Sequence, residues 1–341
     1  MKENYAPWAI DINSFPEQGG LRDQLKFLLG FVLLAPSGHN SQPWSLKIID
    51  KSVEFWVNKD RSLAKSDPER RQLSIAMGCA LENLITAADF YGFSCDIVYF
   101  PLNEEKDFFV KASLARTGST KNDSNHLIFS IPNRRTNRGK YEDKILSQEF
   151  IEKISKISNS ETEVLLITDK EIKEQLAETV NKAQIESMDS DSFREELSHY
   201  VKSNFTKDKV GMPGFTLGLP APISLIASKL IKKINMSRKS KKQDDALLKL
   251  HTPAFIIIGT REDNQIGWVK SGQAFERIWL IAESFGISCA PLASGVQVGD
   301  YHKQVREVAG VTSTPRVFAR VGYSKMIPRH SPRLAVRDIL I

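Results

Sequence analysis

Cysteine is scarce in this sequence, which has only Cys79, Cys95 and Cys289 in 341 residues. Three cysteines cannot form the disulfide framework of a small secreted domain, and no two of them have the CxxC spacing of zinc or redox sites. The six histidines show no metal-ligand pattern such as HExxH. No GxGxxG motif follows a predicted strand, which argues against a Rossmann domain. We therefore expect a reducing compartment and no metal site.

Long apolar runs are also missing. Residues 27–35 form the most apolar run, which has about half the length needed to cross a bilayer. Residues 1–15 lack the basic start and apolar stretch of a signal peptide. These absences predict a cytoplasmic protein without a membrane partner.

Neither sign of charge dominates, because 47 lysines and arginines face 41 aspartates and glutamates, for a net charge of +6. So small an excess suits an anionic small ligand as well as it suits nucleic acid. Residues 232–242 form a basic run that either binds nucleic acid or an anionic surface or, as is more usual, carries solvated lysines. We expect no nucleic-acid partner.

Apolar periodicity predicts helices and strands in both halves of the chain. Pro36 ends the first helix, and Gly92 is placed to end another through a left-handed residue. The predicted helices cover residues 25–34, 80–91, about 148–157 and 272–285, and the predicted strands cover residues 45–50, 53–58, 95–100, 108–114, 163–169, 254–260 and about 316–323. From about residue 187 to residue 247 the chain reads as long and irregular, which is typical of a lid-like insertion.

An internal repeat relates the two halves. Residues 78–95 align without gaps with residues 272–289, and about seven of the eighteen positions are identical. The alternative is that any two apolar helices ended by glycine look alike. We predict a duplicated unit, with residues 1–125 and 126–341 as two related halves packed as an internal pseudo-dimer.

Two short segments carry the polar groups of a candidate site. RRTNR places Arg134, Thr136 and Arg138 on alternate residues of an extended segment, where two guanidinium groups and a hydroxyl suit a phosphate. The alternative is a solvated basic loop.

APSGHNSQPW, at residues 35–44, sets hydroxyl and amide groups between two prolines, as in a rigid turn that holds a ring with several hydrogen-bonding edges. Its alternative is a turn that only ends the helix. Ser37 and His39 are nearly adjacent and lack a GxSxG elbow, which argues against a hydrolase.

Together these patterns resemble the FMN-dependent nitroreductase superfamily. The resemblance rests on A-P-S-x-x-N-x-Q-P-W after a helix, on R-x-[ST]-x-[RK], and on a G-x-A-x-x-x-x-x-L-x-A-x-x-x-G helix followed by a Pro-Leu turn. Residues 60–84 and 320–340 look most like the Acg-type branch. The resemblance spans nearly the whole chain and implies an α+β nitroreductase-like fold with mixed or antiparallel sheets and long central helices.

The family's members are typically homodimers whose flavin lies at the subunit interface, with the phosphate segment from one subunit and the P-S-x-x-N turn from the other. Here the turn occurs only in the first half and the phosphate segment only in the second. The resemblance therefore implies one complete and one degenerate site within a monomer or weak homodimer.

The resemblance also assigns residues to the cofactor. Arg134, Thr136 and Arg138 would bind the FMN phosphate, with Arg333 and Arg329 reaching it from the C-terminal segment. Pro36, Ser37 and Asn40 would line the isoalloxazine and the ribityl chain. Ala293 and Ser294 would offer a backbone amide to flavin N5, although this chain has Pro-Leu-Ala-Ser-Gly where the family often has Pro-x-Glu-Gly.

Two functions follow from the resemblance. The first is an oxidoreductase that passes electrons from NAD(P)H through FMN to a small acceptor, namely a nitroaromatic, a quinone or an activated alkene, without a dedicated protein acid or base. The alternative is a protein that sequesters FMN under the insertion with little or no NAD(P)H turnover.

Overall fold

The computed structural model describes residues 2–102, 105–118, 123, 126–235 and 237–341. The fold is α+β, as expected, and contains two four-stranded sheets in which every strand pairing is antiparallel. Among the described residues, the first half of the chain contributes one sheet and two α-helices. Its elements are α1 (Leu21–Val32), β1 (Trp44–Ile49), β2 (Ser52–Val57), α2 (Arg71–Phe90), β3 (Phe93–Tyr99) and β4 (Phe108–Arg116).

The second half contributes the other large sheet and most of the helices. Its elements are α3 (Gln148–Ser155), β5 (Thr162–Ile167), α4 (Lys170–Asp189), α5 (Asp191–Tyr200), β6 (Val201–Lys202), β7 (Met212–Pro213), α6 (Ala221–Ser224), α7 (Ala227–Lys233), α8 (Ser237–Leu250), β8 (Ala254–Thr260), α9 (Gln265–Ser284), β9 (Ile287–Pro291), α10 (Ser294–Gln297), α11 (Tyr301–Ala309), β10 (Thr314–Tyr323) and α12 (Val336–Ile339). The strands β6 and β7 form a separate two-stranded sheet and pair in parallel.

The two large sheets have the same internal order. The first runs β1-β2-β4-β3 and the second β5-β8-β10-β9, with a long helix between the second and third strand of each. Both long helices end before a glycine with positive φ, Gly92 at 73° and Gly286 at 66°. These two glycines occupy the same position in the aligned repeat, so the predicted left-handed helix end occurs in both copies.

The long helices α2 and α9 pack against each other through their glycines. A Cβ on Gly78 would lie 1.9 Å from the carbonyl oxygen of Val269, and a Cβ on Gly272 would lie 2.0 Å from that of Ile75. Gly78 and Gly272 are equivalent in the repeat, and each meets the residue three positions before the other. The two helices therefore cross at backbone contact with local two-fold pseudosymmetry.

The sequence predicts that the insertion is irregular, but in the structure it contains several helices. Residues 187–247 are mostly helical, and they contain α5, α6, α7 and most of α8. The glycines and prolines that suggested irregularity are concentrated between Gly211 and Pro222, whereas the flanking helices are polar and carry little apolar periodicity. In the first half two residues join β1 to β2, but in the second half the whole insertion lies between β5 and β8.

The C-terminal segment crosses to the first half, where Leu340 forms a parallel bridge with Leu46 in β1. Within the second half, Thr136 forms a parallel bridge with Cys289 in β9. One helix, Arg71–Phe90, is long and apolar enough to cross a membrane, but 89% of its apolar window is buried, as in the core helix of a folded domain.

Candidate functional site

A cavity of about 410 Å³ lies where segments of the two halves meet. Its size falls within the range of small-molecule and cofactor sites. The wall comes from the turn after α1, the segment before α3, the insertion and the segment after β10. The side chains and backbone that line it include those of Trp8, Pro36, Ser37, His39, Asn40, Arg134, Arg135, Thr136, Arg138, Met212, Phe215, Thr216, Leu217, Gly218, Met326, Ile327, Arg329, His330 and Arg333.

The wall of this cavity is strongly cationic. Five arginines line it, namely Arg134, Arg135, Arg138, Arg329 and Arg333, and none of the lining residues, all of which are described, is acidic. Guanidinium groups present planar, permanently charged donors that match phosphate and carboxylate oxygens. The cavity is therefore suited to an anionic ligand.

Arg134 lies at the inner end of the cavity, with only 2% of its surface exposed. Its Nε is 3.2 Å from Oε1 of the fully buried Glu276, and its Nη2 donates to the carbonyl of Leu34 at 2.8 Å. The guanidinium also lies 4.4 Å from the ring of Trp279. Burial raises the pKa of Glu276 to about 7, with Arg134 opposing the shift and Glu82 adding to it. Arg134 therefore has a partial counter-charge behind the cavity wall.

Arg333 is 4% exposed, and no carboxylate of a described residue lies within hydrogen-bond distance of it. Its Nη1 donates to Oδ1 of Asn40 at 2.5 Å, and its other donor contacts are to backbone carbonyls, including Leu34 at 3.3 Å. Its Nε is buried and has no hydrogen-bond partner among the described residues. Burial, together with the nearby Arg134, lowers the pKa of Arg333. A bound anion would supply the missing compensation.

Arg135 and His330 form a pair in the cavity wall that the sequence motifs did not single out. Nε of Arg135 donates to Nε2 of His330 at 3.1 Å, and the imidazole stacks on Trp8 with centroids 4.0 Å apart. Burial and the neighbouring arginines lower the pKa of His330 to about 3. His330 is therefore neutral at physiological pH and accepts from Arg135. The only signal in the sequence was its position between Arg329 and Arg333.

The two outer arginines contact the insertion. Nη1 of Arg138 donates to the carbonyl of Thr216 at 3.2 Å, and the guanidinium of Arg329 lies 4.1 Å from the ring of Phe215. Insertion residues 212–218 thus form one side of the cavity.

The turn after α1 reaches the cavity, but several of its polar atoms have protein partners. Nδ2 of Asn40 donates to the carbonyls of Gly211 at 2.9 Å and Pro332 at 3.0 Å, which ties the turn to the insertion and to the C-terminal segment. Ser37 Oγ accepts from the backbone N–H of Gln42 at 2.9 Å. Nδ1 of His39 is buried without a hydrogen-bond partner among the described residues, and burial lowers the pKa of His39 to about 4.

Backbone pairing fixes the segment that carries Arg134, Thr136 and Arg138. The N–H of Asn137 donates to the carbonyl of Cys289 at 3.0 Å, and the hydroxyl of Tyr141 donates to the carbonyl of Asn137 at 2.8 Å. All three predicted phosphate residues face the same cavity.

The structure does not bring Ala293 and Ser294 to this cavity. Cys289 is level with the phosphate segment, but β9 continues away from it to Pro291, and Ala293 and Ser294 start the short helix α10 beside α4. They therefore do not line this cavity, and their backbone contact with flavin N5 stays a prediction. The other eight predicted residues all line the cavity.

Three basic side chains in residues 232–242 are paired with acidic side chains. Lys232 lies 2.9 Å from Glu195, Arg238 2.6 Å from Asp189 and Lys241 2.8 Å from Asp245. Within the described part of the chain, no group of three or more histidine, cysteine, aspartate or glutamate side chains could hold a metal ion.

No family model matches the chain. It is 23% identical over 311 residues, 89% of this chain and 86% of the relative, to Rv3131 of Mycobacterium tuberculosis, whose name is that of an NAD(P)H nitroreductase. It is also 23% identical over 336 residues, 93% of this chain and 92% of the relative, to PigM of a Serratia species, which carries the same kind of name.

Among solved structures, the chain is similar to nitroreductase A of Vibrio parahaemolyticus, with 16% identity, a TM-score of 0.38, and coverage of 62% of this chain and 72% of the other. The similarity to the two curated relatives extends over nearly the whole chain, and it confirms the resemblance to nitroreductases that the sequence motifs predict.

Proposed function

We propose that this protein is an FMN-binding oxidoreductase of nitroreductase type that takes electrons from NAD(P)H. The observation that carries the proposal is the cationic cavity, which brings the turn of the first half and the phosphate segment of the second half into one wall. The names of Rv3131 and PigM, the two relatives that match over most of the chain, are those of NAD(P)H nitroreductases and support the same chemistry.

The residues of the cavity fit a flavin nucleotide. Arg333, Arg138, Thr136 and Arg329 would hold its phosphate, with Arg134 supporting them from the inner end, and Pro36, Ser37 and Asn40 would lie along the rest of the cofactor. The unpartnered Nε of Arg333 and Nδ1 of His39 are buried polar atoms that a ligand would satisfy. Bound FMN supplies hydride and electron transfer, while the protein binds and orients it.

We further infer that the chain arose by internal duplication and carries a single flavin site. The shared strand order, the equivalent glycines at the α2–α9 crossing and the division of the two motifs between the halves support this inference. The partner of each half is the other half, so a monomer already holds the complete site. Three free thiols suit the reducing cytoplasm.

The first test measures flavin content. Purified protein reconstituted with FMN should hold a single flavin per chain, and two per chain would contradict the division of the motifs. Arg138→Gln should weaken FMN binding, because Arg138 reaches the cavity without a buried acidic partner, whereas Arg337→Gln serves as a control at an exposed arginine outside the cavity. Equal affinities of the two variants would show that the phosphate is placed wrongly.

A second candidate function is FMN sequestration. The observation that favours it is the insertion, since Met212, Phe215 and Leu217 form one side of the cavity, where a nicotinamide would have to approach a bound flavin. Anaerobic mixing of the FMN-loaded protein with NADPH or NADH separates the two functions. Rapid bleaching of the flavin absorbance supports the oxidoreductase. Reduction by dithionite alone supports sequestration.

The acceptor of the oxidoreductase is proposed only as a class. A nitroaromatic, a quinone or an activated alkene would suit the apolar side chains of Phe215, Met326 and Ile327 at the cavity. Steady-state rates with one compound of each class, compared at equal NADPH concentration, would rank the three.

A further inference from the structure

The insertion carries a group of exposed apolar side chains beside the cavity. We name this group the insertion tip and define it as Phe205, Ile223, Leu225 and Ile226, which are 61%, 46%, 63% and 51% exposed. Isolated exposed apolar residues are common on protein surfaces, but a contiguous group marks an interaction site.

Hydrogen bonds hold the insertion tip together. The N–H of Asn204 donates to Oγ of Ser224 at 2.9 Å, which joins the residue before Phe205 to the residue between Ile223 and Leu225. The side chain of Asn204 also accepts from the N–H of Phe215 at 2.6 Å. Ser224 and Ala227 are buried beneath the exposed residues. Hydrogen bonds therefore fix the backbone of the tip, and no described residue buries its exposed side chains.

Lysines surround the insertion tip. Residues 201–234 contain six lysines and a single acidic residue, Asp208. Lys207, Lys229 and Lys233 are exposed and form no ion pair with a described residue. Leu225 and Ile226 form the turn between α6 and α7, and Lys229 and Lys233 are four residues apart on one face of α7.

We propose that the insertion tip docks this protein on the surface of an anionic lipid membrane. Apolar side chains that enter the interface and lysines that attract anionic headgroups are the two components of peripheral membrane binding. A two-fold contact between copies would bring like-charged lysines together. Nucleic acid would leave Ile223, Leu225 and Ile226 without apolar contacts. Charge and apolarity together therefore favour the membrane.

The tip lies next to the cavity. Residues 215–218 line the cavity and Ala221–Ser224 begin the tip, while Met326 and Ile327 expose 52% and 75% of their surfaces at the cavity. Docking would bring the cavity opening to the lipid surface. This position of the cavity opening favours a lipid-soluble quinone over a freely soluble acceptor, an inference that rests on the proposed function.

Vesicle sedimentation tests the docking surface independently of flavin chemistry. The full chain, loaded with FMN, is mixed with vesicles of phosphatidylcholine alone or with vesicles that also contain phosphatidylglycerol. We expect binding to the anionic vesicles that weakens with added salt. Leu225→Ser with Ile226→Ser should reduce the partition coefficient at least about tenfold. Lys207→Gln, Lys229→Gln and Lys233→Gln should each reduce it about fivefold.

The matched control is Ile145→Ser with Leu250→Ser, since these residues are 89% and 72% exposed but lie outside the tip. The control should bind vesicles as the wild type does, and the flavin content of all variants should be unchanged. No binding to anionic vesicles at low salt would overturn the proposal, as would equal losses in the tip and control variants. If the wild type forms a dimer that the tip variant abolishes, and neither protein binds vesicles, the proposal is overturned and the tip binds a second copy of the chain. Loss of flavin reduction with vesicle binding intact would refute only the proposed function.

Discussion

Replacing Arg333 with methionine should separate ligand binding from folding. Arg333 is a buried cation that donates to Asn40 and to backbone carbonyls but lacks a carboxylate partner within hydrogen-bond distance. Removing it leaves Oδ1 of Asn40 without this donor, which costs about 1–3 kcal/mol. It also removes a buried charge that Glu276 offsets only in part and whose desolvation costs several kcal/mol. The flavin-free variant should therefore be at least as stable as the flavin-free wild type.

The same change should weaken FMN binding. A charge-assisted hydrogen bond to phosphate is worth about 1.5–3 kcal/mol, so a loss near the upper end corresponds to roughly a hundredfold increase in Kd. At an FMN concentration of about 100 times the wild-type Kd, bound ligand stabilises the wild type by about 2.7 kcal/mol and the variant by about 0.4 kcal/mol. Stability and ligand response should therefore change independently.

Urea unfolding with and without FMN measures both quantities. Arg337→Met is the matched control, because Arg337 lies in the same C-terminal segment but its side chain is 72% exposed and pairs with Glu3. A flavin-free Arg333→Met protein that loses several kcal/mol and keeps the full stabilisation by FMN would refute this reasoning. That result would make Arg333 a structural tether of the turn.

Three further predictions concern the fold. Gly272→Ala should lower the free energy of unfolding by about 3 kcal/mol, because its Cβ would lie 2.0 Å from a carbonyl of the facing helix, whereas Gly20→Ala meets nothing within 4 Å and should change urea unfolding little. The pKa of Glu276 is about 7 in the folded state against an ordinary 4.5, so between these pH values the native state binds a proton that the unfolded state has released. The free energy of unfolding should therefore fall as pH rises from about 4.5 to 7. Urea titrations of Glu276→Gln should show a flatter pH dependence. Cys79 and Cys289 are buried with raised pKa values and should react with iodoacetamide only after unfolding, as mass spectrometry would show.

Local patterns predicted most elements of the two sheets. The alternation in residues 45–58 corresponds to the β1–β2 hairpin, and the continuous apolar run at residues 254–260 is the fully buried β8. The helix predicted from residue 272 instead begins at Gln265, where the side chain of Asn264 caps it. The first turn of α9 contains Gly267, which lowers its helix propensity, so this helix start is harder to place than the helix end at Gly286.

The candidate site was predictable where one short segment contains the chemistry. RRTNR and APSGHNSQPW both face the cavity, but their spacing along the chain does not specify what each side chain contacts. Glu276 becomes the partner of Arg134 only through the packing of α9 against the segment before α3. Arg135 and His330 meet across 195 residues of sequence. Such long-range pairs depend on tertiary packing, which periodicity does not encode.

The ion pair between Arg134 and Glu276 should also link anion binding to proton uptake. Four charged or polar groups face the Glu276 carboxyl, with Arg134 and Arg333 favouring its ionised form, Glu82 opposing it and Asn83 hydrogen-bonding it. An anion bound at the two arginines would oppose their effect and raise the pKa of Glu276 further. FMN affinity should therefore fall as pH rises through about 7. Calorimetric titration with FMN in two buffers of different ionisation enthalpy gives the number of protons taken up on binding. Glu276→Gln should remove the proton taken up by Glu276 and leave the contribution of the FMN phosphate, which titrates near pH 6. Identical proton counts in wild type and variant would show that the buried pair does not sense the ligand.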